Sequence, residues 1–276
     1  MPSSRTARYL ASLSHDDWIG ALIEKMSPDI NERWTEPRVE VHPSAAGTRC
    51  VRSLQLGMLG HRTPELGTST RRMLNGTWTH RRWNDFFRDT GLLFAVEHRE
   101  EKEIERDGKR FKWSGEMDLV LRSPTNTLVV VEIKSMGSSR FKRIPQQGSP
   151  LETGKKFFES ERRYAVQLCH YWSVAKELWS GVDKRAVFLL ENTDTQEVAT
   201  RWVEFTDEQV SEAFRVAAEG YDGLQQGILA DPPYKRTSTN CKGCARRSVC
   251  FALQDGDPAV TEVVNERLRR VTVVEV

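Results

Sequence analysis

Apolar positions recur at helical spacing over residues 15–26 and 44–60, and the second stretch surrounds Cys50. A longer helix is predicted over 67–89, GTSTRRMLNGTWTHRRWNDFFRD, with Leu74, Trp78, Phe86 and Phe87 on its apolar side. From residue 92 the period changes. The run LLFAVEHREEKEIER, then Asp107-Gly108, then RFKW reads as a hairpin, because Asp-Gly suits a tight turn between strands. Two more strands are predicted at about 116–122 and 127–135, joined by Ser-Pro-Thr-Asn. The stretch 137–160 is rich in Gly, Ser, Pro and Lys, has weak periodicity and reads as a mobile loop. A helix over 161–180, a hairpin over about 185–206 turning at ENTDT, and a helix over 207–228 follow. After Pro232-Pro233 comes a cysteine-bearing segment, and a charged tail closes on VTVVEV. This order predicts an α/β or α+β fold on a mixed sheet.

With 276 residues the chain can bury a full core in one elaborated domain. The expected organisation is a helical extension over 1–43, a main domain over 44–255 and a tail over 256–276. A formal net charge of +2 is nearly balanced, so a case for a polyanionic partner must rest on where the charges lie. No apolar run reaches the roughly 18 residues of a membrane span, and no secretory signal precedes the first helix. A cytoplasmic protein with no membrane partner is expected. There the five cysteines are better suited to metal ligation than to disulfides.

The segment SGEMDLVLRSPTNTLVVVEIKSM, residues 114–136, carries the chemistry. Alternation puts Leu128, Val130, Glu132 and Lys134 on one strand face and Val129, Val131 and Ile133 on the other. If the connection is centred near Thr125, Asp118 lies across from Glu132 with Cβ atoms about 4.5–5.5 Å apart. Two such carboxylates can hold Mg2+ at about 2.0–2.1 Å. A held cation acidifies water and polarises a phosphoryl oxygen, as phosphodiester hydrolysis needs, and Lys134 can orient the water or steady the phosphate. The same features also fit an ion pair on an edge strand. In YAVQLCHYW, Gln167 and Tyr171 share a helical face with Arg163 one turn earlier, a stripe suited to phosphate contact or to an amphipathic edge. His80, in NGTWTHRRW, is the remaining candidate side chain, and the other histidines read as surface or packing residues.

NCKGCARRSVC supplies Cys241, Cys244 and Cys250, a spacing that can wrap one metal centre. A fourth ligand must come from Cys50 or Cys169. Cys169 reads as packing, on the far side of the Gln167/Tyr171 helix, so Cys50 is assigned. Four thiolates suit Zn2+ and an iron–sulfur cluster equally on chemistry alone.

Taken in order, these residues resemble the RecB-type branch of the PD-(D/E)XK nucleases. His80 after Gly76 matches the helical histidine of that family, and Gly115-Glu116-Met117-Asp118 matches its Gly-x-x-Asp element. Glu132-Ile133-Lys134 matches (D/E)-x-K, and Gln167 to Tyr171 matches Gln-x-x-x-Tyr. The resemblance implies a restriction-endonuclease-like α/β core, a mixed sheet flanked by helices. It implies Mg2+ or Mn2+ bound by His80, Asp118, Glu132 and the Ile133 carbonyl, with Lys134, Gln167 and Tyr171 as catalytic partners. The cysteine spacing is similar to the iron–sulfur subgroup, which includes CRISPR-associated spacer-acquisition exonucleases and their phage-encoded relatives. That likeness implies a [4Fe–4S] cluster tying the N-terminal helices to the C-terminal segment. It also implies a 5′ to 3′ exonuclease on single-stranded DNA, with recombination or CRISPR adaptation proteins as partners.

No Gly-x-x-x-x-Gly-Lys-Ser/Thr occurs, so no motor accompanies the nuclease elements. Basic residues flank the candidate site: Arg71, Arg72, Arg81 and Arg82 around His80, then Arg140, Lys142, Arg143, Lys155 and Lys156, then Arg162 and Arg163. Lys235, Arg236, Lys242, Arg246 and Arg247 surround the late cysteines. Arg81, Arg140, Lys142 and Arg163 are the expected DNA contacts. Trp83, Phe157 and Phe158 can stack on bases, whereas Trp78 is expected in the core. A sequence-specific endonuclease and a non-catalytic DNA-binding subunit are the alternative readings.

Overall fold

The structure, a computed structural model, describes residues 34–61, 67–106 and 108–272, and side chains of the helix starting at Gly67 from residue 75 onward. The helix expected at 15–26, the Arg71-Arg72 pair, Leu74, Asp107 and the end of VTVVEV lie outside the described residues. Five strands form one mixed sheet in the order β1-β2-β3-β4-β5. They are β1 (Leu93–Arg106), β2 (Lys109–Arg122), β3 (Leu128–Met136), β4 (Arg185–Asn192) and β5 (Val198–Glu204). β3 and β4 run parallel and the other neighbours antiparallel. The two segments expected at RFKW and 116–122 are one continuous strand, β2.

Helices α1 (Pro43–Ala46) and α2 (Val51–Met58) replace the single helix expected over 44–60. The break has a steric cause. A Cβ at Gly47 would lie 2.5 Å from the Arg163 Cα, so the chain turns there and restarts with Cys50 as the N-cap of α2. Helix α3 spans Gly67–Asp89 as expected. Between β3 and β4 lie α4 (Ser138–Phe141), α5 (Pro150–Ser160) and α6 (Arg162–Leu178). The expectation of a mobile loop over 137–160 is therefore corrected. Ser149 accepts a hydrogen bond from the Glu152 N–H and Pro150 takes the first helical turn, a start signal that the local polarity masked. Helix α5 buries Phe157 and Phe158, which removes both from the expected base-stacking set.

Helix α7 (Asp207–Gln225) opens with a Thr206/Gln209 capping box. Short α8 (Thr239–Lys242) and α9 (Arg247–Gln254) carry the late cysteines. The charged tail is largely a helix, α10 (Pro258–Val271), capped by Asp257 and burying Val264, Leu268 and Val271. Its apolar stripe at steps of three and four is hidden among charges. The main core joins one sheet face to α1, α2, α6 and α7, and a smaller cluster on the other face meets Trp83 and Phe87 of α3.

The β2–β3 turn fixes what matters most. Ser123 N–H donates to the Thr127 carbonyl at 2.8 Å, and Asn126 takes φ +66°. This three-residue turn, Pro124-Thr125-Asn126, ends in the left-handed conformation that Asn tolerates. It sets the pairs Arg122↔Leu128 through Leu119↔Val131, the register expected from a turn centred on Thr125.

Candidate active site

The β2 edge facing β3 has two successive occupants. Val41 N–H donates to Lys112 O at 2.8 Å, and Ser114 N–H donates to Val41 O at 3.2 Å. The ladder to β3 begins only at Leu119. Among the described residues, 115–118 pair with neither, so Gly115-Glu116-Met117-Asp118 lies where the sheet edge opens. The Asp118 carboxylate fills the place of a ladder partner: the Ile133 N–H donates to its Oδ2 at 2.8 Å. The contact found at Ile133 is thus its N–H, while its side chain sits in the smaller core cluster. Gly115 has a steric reason as well. A Cβ there would stand 2.7 Å from the Trp113 ring and 2.9 Å from Tyr171 Cε1.

One step further along β3, Glu132 is fully buried. Its Oε1 accepts a short hydrogen bond from the Lys134 ammonium, and its Oε2 has no partner. Burial first, and Asp118 second, push the Glu132 carboxyl up to about 8, against the pull of Lys134. Desolvation would lower the Lys134 pKa, but Glu132 and Asp118 outweigh it and leave the ammonium raised and charged. Two converging carboxyls, one with an orphaned buried oxygen, are a donor set that suits a hard divalent cation. Helix α3 brings His80 Nδ1 to 3.5 Å from Asp118 Oδ1.

Helix α6 supplies the opposite wall. Gln167 Nε2 donates to the Tyr171 hydroxyl at 3.2 Å, and burial followed by the Glu132 charge drives that phenol's pKa up. Arg163, expected on the same stripe, is exposed and lines clefts beside α1 and α2. The residue that meets Lys134 is Tyr164: the ammonium lies 5.4 Å from its ring centroid, and the Arg140 guanidinium packs on the same ring at 4.4 Å. The spacing 164, 167, 171 follows the helix repeat closely enough to have flagged Tyr164 beforehand. Arg140, an expected DNA contact, is bound to Glu161 at 2.5 Å, whereas Arg81 and Lys142 are exposed. Trp78 is 63% exposed, which corrects its expected place in the core, and Arg81 packs on it at 5.6 Å.

Two buried residues outside the expected set of site side chains brace the elements around the site. Glu191 of β4 accepts hydrogen bonds from Arg82 and from Trp83 Nε1, at 2.9 Å for the latter, and so fastens α3 just beyond His80. His170 accepts a hydrogen bond from Trp113 Nε1 at Nδ1, at 3.1 Å, and its Nε2 lies 3.0 Å from the Ala213 carbonyl. Only a neutral ring with its hydrogen on Nε2 satisfies both partners. Burial pushes its pKa down to about 4.

Cys50, Cys241, Cys244 and Cys250 line one cavity together with Ser53, Pro232 and Tyr234. All four are partly buried, whereas Cys169 is fully buried in the core. Burial raises the Cys50 thiol, and Cys244, Cys250 and Cys241 add to the rise, as thiols sharing one enclosure should. Ser53 Oγ and Cys244 Sγ are 3.5 Å apart, and the Arg246 N–H donates to Cys244 Sγ at 3.4 Å. Among the described residues, no three or more His, Cys, Asp or Glu side chains stand at the spacing of a metal-ion site, at the carboxylates or at the thiols. No helix among the described residues is long and apolar enough to cross a membrane.

No curated protein matches the sequence significantly. Among solved structures, the crystal structure of SSO0001 is similar, with a TM-score of 0.49 and 18% identity, covering 85% of this chain and 96% of that one. The sequence matches the family model described as PD-(D/E)XK nuclease superfamily over residues 17–251, which takes in every element of the carboxylate site. The chain belongs to the PD-(D/E)XK nuclease superfamily.

Proposed function

We propose that this chain is a divalent-metal-dependent exonuclease that degrades single-stranded DNA from an end, 5′ to 3′. Action from an end, polarity and strand preference rest on the family resemblance. The observation that supports metal dependence is the fully buried Glu132 carboxyl, with Oε2 unpartnered beside Asp118 and Lys134. Such a group is costly unless a cation completes it. Asp118 and Glu132 would hold Mg2+ or Mn2+, with His80 beside Asp118 and the Ile133 carbonyl as a further oxygen. When bound, the ion neutralises charge on the phosphate and makes water more acidic. Lys134, held charged between two carboxyls and the Tyr164 ring, positions the attacking water or the non-bridging phosphate oxygens. Gln167 and Tyr171 fix the Lys134 side of the pocket. Water oxygen bonds to phosphorus, one P–O ester bond breaks, and the leaving oxygen takes a proton.

Cys50, Cys241, Cys244 and Cys250 would hold a [4Fe–4S] cluster that joins the start of α2 to α8 and α9. Their shared cavity supports a joint ligand role, and the choice of iron over zinc rests on the family resemblance. The setting is cytoplasmic, in recombination, repair or spacer acquisition.

The test is cleavage of end-labelled single strands in Mg2+ or Mn2+. Wild type should release short products from 5′ ends and spare closed circles, and Glu132→Gln should lose at least about a hundredfold in rate. Cleavage of circles would make the enzyme an endonuclease. Equal rates for wild type and Glu132→Gln would overturn the assignment.

A further inference from the structure

Two open clefts of about 350 and 450 Å³ adjoin along the seam between α1–α2 and the cysteine segment. Thr48, Ser53 and Arg163 line both, so they form one continuous groove. Its first half contains Arg38 and its second half Arg49 and Arg140. Three of the groove's arginines differ from the paired arginines around them. Arg140 is paired with Glu161, Arg162 with Glu212 and Arg236 with Asp255. Arg38, Arg49 and Arg163 are exposed and, among the described residues, have no carboxylate within ion-pair distance and no side-chain hydrogen bond.

Glu40 and Glu159 also line the groove, but neither lies within ion-pair distance of Arg38, Arg49 or Arg163, so these three guanidiniums remain open to a bound anion. The groove also leads somewhere. Arg140, at its second half, packs on Tyr164, and the Tyr164 ring in turn meets Lys134 of the carboxylate site. Gly47, pressed on the Arg163 backbone, holds the Thr48–Cys50 turn against the start of α6, so the shared wall is fixed. A nucleic-acid strand seated at Glu132 must continue in some direction, and beyond the paired Arg140 this seam provides three cations without carboxylate partners, Arg163, Arg49 and Arg38. Tyr234 lines the second half and offers a ring for a base.

We propose that the backbone of a single nucleic-acid strand runs from the carboxylate site through this groove, with Arg163, Arg49 and Arg38 as successive phosphate contacts alongside the cysteine segment. This rests on the nuclease reading, but the experiment does not require turnover. Binding of a fluorescent oligodeoxynucleotide is followed by anisotropy in EDTA across a salt series. The R49E/R163E variant should bind about tenfold more weakly, and its log–log salt slope should flatten by about 1.4, at roughly 0.7 for each phosphate no longer neutralised. A Lys109→Glu, Arg110→Glu variant, at the remote β1–β2 hairpin tip, should stay within about twofold of wild type by the same reasoning. If R49E/R163E lowers the melting temperature, R38Q/R49Q is read instead, with a slope change of the same sign. Wild-type affinity and slope in a stably folded groove variant would overturn the route, even if cleavage depends on Glu132. Loss of groove binding in a protein without turnover would instead sink the nuclease reading and leave the groove standing.

Discussion

The carboxylate site and the cysteine cavity answer the same problem, holding polar groups away from water, in opposite ways. At the carboxylates, neighbouring strand positions force two acids and an ammonium together at high cost, and one oxygen stays unsatisfied. At the thiols, residues from the two ends of the described chain meet across a cavity, partly exposed and with only weak sulfur contacts. The first arrangement leaves a buried oxygen that a bound cation would satisfy. The second lies between segments that the core around Leu56 and Val249 and the Gln55–Ala230 hydrogen bond already bring together. Function and stability should therefore separate between the two sites.

Substitutions can break that separation. The largest effect is expected at Glu132: Glu132→Gln should remove turnover by at least about a hundredfold while leaving the thermal midpoint in EDTA within a few degrees, because the amide oxygen can still accept from the Lys134 ammonium and Asp118 stays beside it. A large fall in midpoint, read by circular dichroism, would make Glu132 a structural residue. Cys241→Ser with Cys244→Ser should do the reverse. Broad visible absorption of anaerobically purified protein should vanish, and the midpoint should fall by about 5–15 °C. A colourless wild type with zinc bound would replace iron, and an unchanged midpoint would remove the staple altogether.

His170 gives a pH signature belonging to the scaffold alone. Its folded pKa of about 4 lies below the ordinary 6.5, so the unfolded chain binds the extra proton first. Its contribution is complete above about pH 6.5 and is lost as pH falls toward 4, roughly 3 kcal/mol in all. The stability gap between wild type and His170→Gln, from urea midpoints, should close over that window. A gap independent of pH would mean that the ring is not held neutral. The smallest effect is expected at Gly115→Ala, about 1–3 kcal/mol from the overlap with Trp113 and Tyr171, measured by the same titration.

The acids are legible in the sequence because two local rules act together. Strand alternation puts Glu132 and Lys134 on one face, and Pro124-Thr125-Asn126 sets a register whose last pair, Leu119↔Val131, leaves Asp118 beside Glu132 and Ile133 where the ladder ends. What stays hidden depends on distant segments. Val41 takes the β2 edge only as far as Ser114, which opens the gap at 115–118, and no local pattern reports that competition. Glu191 looks like the polar end of a hairpin until Arg82 and Trp83 close on it. Composition obscures helix α5, although Ser149-Pro150 marks its start. Periodicity misplaces Trp78 because helical spacing identifies a stripe without showing that a partner covers it.

One measurement tests the central claim without asking for catalysis: titration of Mn2+ into wild type, Asp118→Asn and Glu132→Gln, read by calorimetry or by the paramagnetic signal of free ion. Wild type should bind at least one Mn2+ that both variants lose. Equal Mn2+ binding by all three proteins would contradict that claim.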